Sequence, residues 1–119
     1  MTESFDEHRF MALLTLAGPA NALELAMRLD EDLTGIATAL TAATGQHDRP
    51  VLRAQSHVLL AIAGTVGANQ LYLLADRLNR LARGVETGPV ADVLADIRLL
   101  LDLLIQRVRS ARAHLAVPP

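Results

Sequence analysis

The chain has four histidines and no cysteine. Thiol nucleophiles, disulfides and cysteine-bound metals are therefore excluded, and imidazole is the side chain to weigh first. A neutral imidazole is a nucleophile near neutral pH and can accept a phosphoryl group on one ring nitrogen. His8 lies near a terminus, His47 in a polar stretch and His114 near the far end. No two histidines have the i, i+4 spacing of a helical metal site, and no carboxylate completes one, so no metal is expected. His57 differs from the rest. It sits in the middle of the run Arg53 to Leu71, RAQSHVLLAIAGTVGANQL.

That run has the period of an amphipathic helix. At about 100° per residue from Leu59, the residues Leu52, Ser56, Ile62, Ala63 and Val66 fall within about 60°. They form a core face, with Gln55 as its clearly polar intruder. His57 falls about 160° away on the same count, so it points outward. Arg53, Leu60, Ala61 and Gly64 surround it. Arg53 lies one turn before the histidine and could stabilise an anion held there. Leu60, Ala61 and Gly64 make a small apolar patch, where a second surface could approach the ring.

The elements that must hold this helix follow from the rest of the chain. Its 119 residues are about half hydrophobic, only three are aromatic, and the net charge is −2. This is enough for one domain with a core of Leu, Ile, Val, Ala and Met. Leu and Ala dominate and no β-branched run alternates, which predicts an all-α fold. The charge gives no reason to expect nucleic acid or an anionic membrane. Asp96, Arg98, Asp102 and Arg107 interrupt the most apolar stretch, so no membrane span is expected. The acidic, polar start argues against a signal peptide.

Five helices are predicted. The first runs from Phe5 to Ala17, with Ser4 and Glu7 as a capping box, and Gly18-Pro19 ends it. The second begins at Asn21, capped by the Asn21/Glu24 pair, and reaches Thr44, with Gly45 closing it. Gly35 inside it suggests a close crossing or a bend. The third is capped by Asp48, has Pro50 in its first turn and ends at Val66-Gly67. The fourth runs from Asn69 to Arg83, and Gly84 to Pro89 form a loop. The fifth runs from Val90 to Ala113. Residues 1–4 and 115–119 are expected to fray. Short connections favour an up-down-up-down antiparallel four-helix bundle, with the short N-terminal helix over one end.

The spacing His57-x-Leu59-x-x-x-Ala63-x-x-Val66-Gly67-Ala68-x-x-Leu71 resembles the signature of histidine-containing phosphotransfer (HPt) domains. The likeness covers nearly the whole chain, including the order of a short helix, a long acidic helix and the histidine helix. It departs at two positions. Leu60 stands where the family usually has lysine, and Ala61 where it usually has glycine. The resemblance implies that His57 carries a phosphoryl group between response-regulator receiver domains of a two-component phosphorelay, with a hybrid sensor kinase as a further partner. It also implies that Asn79 and Arg83, near the end of the fourth helix, reach back towards the histidine beside Arg53. Leu60, Ala61 and Gly64 would receive the receiver. The expected protein is a cytoplasmic monomer with no cofactor, a carrier rather than a turnover enzyme, and no ATP-binding loop is visible.

Two rival readings remain open on the sequence. The loss of lysine at Leu60 suits a degenerate HPt fold that binds a receiver without exchanging phosphate. A helical adaptor that dimerises through the leucine-rich fifth helix is the other. The Arg77, Arg80, Arg83 run reads first as a solvated face.

Overall fold

The computed structural model describes residues 5–46 and 48–117. They form five helices and, among the described residues, no strand: α1 (Glu7–Ala17), α2 (Pro19–Gln46), α3 (Arg49–Val66), α4 (Asn69–Ala82) and α5 (Val90–Leu115). The all-helical expectation holds, as the leucine- and alanine-rich composition requires. No helix among them is long and apolar enough to cross a membrane.

Helix ends follow local chemistry, with corrections to the sequence reading at α1, α2 and α5. The cap of α1 is Asp6, whose Oδ1 accepts from the Arg9 N–H at 3.0 Å. Ser4 lies outside the described residues. Asn21 does not start α2. The Gly18 carbonyl accepts from the N–H groups of Asn21 and Ala22 at 3.1 and 2.9 Å, so the helix already begins at Pro19. Proline needs no N–H partner in a first turn, which lets α2 start earlier than an asparagine cap would. Gly45 does not close α2, which continues to Gln46. Gly35 is exposed, with nothing near the position of a Cβ, so it marks no close helix crossing. Asp48 caps α3 as expected, accepting from the Val51 N–H at 3.2 Å, and Pro50 occupies the first turn. His47 lies outside the described residues. At the far end α5 continues two residues beyond the expected Ala113, to Leu115.

Each long helix packs on two other long ones: α2 on α3 and α5, and α4 on α3 and α5. The α3–α4 pair is antiparallel. Asn79 meets Arg53 far from the turn, whereas Tyr72 meets Gly64 close to it. The α2–α5 pair is antiparallel too: Asp30 meets Arg109 and Arg112, whereas Leu40 and Thr41 share a pocket with Leu94 and Arg98. The stripes meet in a core that includes the fully buried Leu33, Leu59, Leu71, Leu78, Ile97 and Leu101. Each such side chain contributes about 1.5–3 kcal/mol over its exposed state.

Helix α1 packs on α2 and α3. It sends Phe10 fully into the core, with Phe5 at 5.6 Å and the Arg107 guanidinium 5.1 Å above the ring. The Asp6 N–H donates to the Gly67 carbonyl at 2.7 Å, which ties the start of α1 to the α3–α4 turn. Gly67 has φ of 82°, and a Cβ there would lie 3.0 Å from those of Asp6 and Arg9. Both the left-handed backbone and the close approach call for glycine.

Candidate functional site

Helix α3 turns the predicted face inward. Leu52, Ser56, Leu59, Ala63 and Val66 are buried, while His57 and Arg53 are exposed. Among the described residues the side chains of His57, Arg53 and Arg83 make no hydrogen bond or ion pair. The imidazole is therefore open to solvent, with both ring nitrogens available.

Asn79 reaches α3 as expected, but its contacts differ from the expected role. Its Nδ2 donates to the Arg53 carbonyl at 3.1 Å and to Ser56 Oγ at 3.2 Å. Ser56 Oγ in turn donates to the Arg53 carbonyl at 3.0 Å. These two acceptors lie only 3.0 Å apart, so the Asn79 amide nitrogen is turned to one spot on the α3 backbone rather than to the ring. The reason is reach: an asparagine on α4, facing the α3 backbone, meets a carbonyl and a hydroxyl before it meets the outward ring. Arg83 is the C-cap of α4, one turn beyond Asn79 and on the same side of that helix. Arg53 and Arg83 thus belong to the same end of the α3–α4 seam, on the N-terminal side of His57.

The other two arginines of the run are committed elsewhere. Arg77 Nε lies 3.0 Å and Arg80 Nε 3.3 Å from the Glu86 carboxylate, and Arg80 also pairs with Asp76 at 3.4 Å. They hold the loop after α4. Such exposed pairs contribute little stability individually.

On the C-terminal side of His57 the patch is less open than the sequence suggested. Ala61 is exposed, but Leu60 is half-buried and packs on the core. Gly64 is half-buried, and a Cβ there would meet the Tyr72 ring at 3.3 Å. The small residue at position 64 thus accommodates the protein's own tyrosine before any partner. Tyr72 was not singled out from sequence. Its signal is its place on α4, eight residues after Gly64 across a two-residue turn, which sets it opposite that glycine.

A second polar cluster lies between α2 and α5. Asp30 is only 6% exposed. Its carboxylate accepts from Arg109 Nε at 3.0 Å, Arg112 Nη1 at 3.0 Å and Thr34 Oγ1 at 3.2 Å. Burial works to raise its pKa, but hydrogen bonds from the two arginines and Thr34 outweigh it and the net shift is downward. Glu7 is also lowered, chiefly by its hydrogen bond with Arg107, whose own pKa is raised by the same contact. The signal for Asp30 in the sequence was a carboxylate three residues before the core position Leu33 and four after Ala26. Among the described residues no three His, Asp or Glu side chains gather as a metal site.

No family model, no curated protein and no solved structure matches the chain. The functional reading therefore rests on the residues and their geometry.

Proposed function

We propose that this protein is a histidine phosphotransfer carrier of the HPt type, with His57 as phosphoacceptor. Its four long helices would then form an up-down-up-down antiparallel bundle, closed over one end by α1. The observation that carries the reading is the exposed, unpartnered imidazole of His57, with the unpaired Arg53 one turn before it on α3 and the unpaired Arg83 at the end of α4. It occurs in fixed register with the Gly67-Ala68 turn.

The chemistry is a phosphoryl exchange between a receiver's aspartyl phosphate and the ring. The lone pair of one imidazole nitrogen attacks phosphorus and a P–N bond forms. The P–O bond to aspartate breaks, and the carboxylate leaves with that electron pair. The proton on the other ring nitrogen stabilises the phosphoimidazole or passes to water. The phosphoryl oxygens carry the charge, and cations beside them lower the barrier. In this chain that task falls to Arg53 and Arg83, while Leu60, Ala61 and the Gly64–Tyr72 contact form the apolar side against which a receiver docks. Cytoplasmic location, a monomeric state and a hybrid sensor kinase upstream belong to the same proposal.

The test is phosphotransfer from a panel of phosphorylated receiver domains to the wild type and to His57→Gln. Label that reaches the wild type and not the variant supports the carrier. If a receiver binds without transferring label, the second reading holds: an HPt-like protein that docks a receiver and exchanges no phosphate. Leu60, in the place of the usual lysine, favours that reading. Leu60→Lys separates the two. At this half-buried site a lysine can lay its stem on the core and raise its ammonium to solvent. A gain of about 10-fold or more in rate marks a weakened site, since about 1.4 kcal/mol of transition-state stabilisation gives tenfold. No gain means that the arginines already serve.

A further inference from the structure

Ser56 is fully buried on a face otherwise made of aliphatic side chains. A hydroxyl in such a place needs a partner. It has two: Asn79 Nδ2 at 3.2 Å and the Arg53 carbonyl at 3.0 Å. The same carbonyl takes the second Asn79 bond at 3.1 Å. It is also the carbonyl that an α-helix assigns to the N–H of His57, four residues on. The three-membered knot is therefore fixed to the turn of α3 that carries the histidine.

Leu59, Ala63 and Val66 hold α3 through apolar contacts, which are less directional than hydrogen bonds. Hydrogen bonds fall off steeply with angle, so turning α3 would break them and leave a buried hydroxyl unpaired. The rotation of α3 against α4 sets where the His57 ring stands relative to Arg83, which comes from α4.

We propose that Ser56 and Asn79 are positioning residues for phosphotransfer at His57. They lock the rotation of α3 so that the imidazole and the cations of the seam address one phosphoryl group, and Asn79 does this without touching that group. The inference rests on the carrier reading. It differs from the expectation that Asn79 reaches the histidine itself, because the Asn79 amide nitrogen contacts the Arg53 carbonyl and Ser56 Oγ instead.

The test is a double-mutant cycle with Ser56→Ala, Asn79→Leu and the pair together, in the full chain. Phosphotransfer from a phosphorylated receiver is measured as rate at saturation and as half-saturating concentration. Circular dichroism identifies variants that stay folded, and the NMR signals of the His57 ring report its setting. The expected result is a fall of about 10-fold in saturated rate for Ser56→Ala and for Asn79→Leu. The half-saturating concentration stays the same, and the double variant is no slower than either single one. The His57 ring signals shift in both single variants. If Asn79→Leu is slow while Ser56→Ala transfers at the wild-type rate, Asn79 acts directly on the phosphoryl group and the proposal is overturned. If both transfer normally it is overturned as well. Should Asn79→Leu fail to fold, Ser56→Ala decides alone, since alanine fits a fully buried serine site. Wild-type protein that takes label from no receiver removes the carrier reading and this role with it. Wild-type transfer with an indifferent Ser56→Ala removes this role only.

Discussion

Among the described residues, Asp30 and Ser56 are the buried polar side chains of this protein, and each sits in a satisfied network. Their consequences differ. Asp30 is a charge, so it links stability to pH. Its folded pKa lies below its unfolded value near 3.9. Stability from the cluster is therefore fully present above about pH 4 and is lost as pH falls through the lower folded pKa. Glu7, lowered by Arg107, acts in the same direction. Asp30→Asn removes the charge and leaves Arg109 and Arg112 half-exposed, so water recovers part of the loss. The expected cost is about 1–2 kcal/mol at pH 7. Thermal melts from pH 7 to pH 2.5 should show a lower Tm at neutral pH for the variant. They should also show a shallower decline in acid than for the wild type. Parallel curves would mean that the cluster contributes nothing through its ionisation.

Among the elements, α1 is the short one, packed on α2 and α3 and tied to the α3–α4 turn and to α5. The Asp6 N–H donates to the Gly67 carbonyl, Phe10 enters the core, and Arg107 of α5 lies over the Phe10 ring and pairs with Glu7. Gly67→Ala should strain both the left-handed backbone and the contact with Asp6, at a cost of about 2–3 kcal/mol. Hydrogen exchange is the informative measurement. Amides of α1 should lose protection first, while the middle of α2 and α5 keeps it. A uniform loss along the chain would mean that α1 is integral to the cooperative unit rather than a docked cover. Much of this element level is readable from sequence. Asp48, Pro50 and Gly67 mark the ends of α3 because caps and left-handed turns are local. The start of α2 is not readable in the same way. Asn21 has the residue type of a cap, but Gly18-Pro19 lets the helix begin two residues earlier, and the asparagine side chain bonds back to Ala17 instead.

At the scale of the whole molecule, the α4–α5 side shows leucine to solvent. Leu73, Leu99 and Leu103 are each more than half exposed there. Leu73 and Leu99 line one groove and Leu103 lies one turn further along α5, but three leucine side chains fall well short of the roughly 800 Å² per partner of a stable interface. Sedimentation at tens of micromolar is expected to give the 12.8 kDa monomer. A concentration-dependent dimer abolished by Leu99→Lys would instead support the helical adaptor. His57 lies on α3 and these leucines on α4 and α5, so substitutions at the two surfaces can be tested independently.

The sequence by itself determined the helical class, the faces of the helices, most of their ends and the outward direction of His57. All of these depend on backbone preferences and on a period of 3.6 residues, which act within a few positions. Tertiary structure decided what the polar residues near the site do. Asn79 meets Ser56 across 23 positions, and Asp30 meets Arg109 and Arg112 across 79 and 82. No local pattern ranks such partners, because the partner of a buried donor is fixed by how two helices rotate against each other. Tyr72 over Gly64 follows the same rule. The small residue read as room for a visitor is filled from the opposite helix, whose register only the packed core sets.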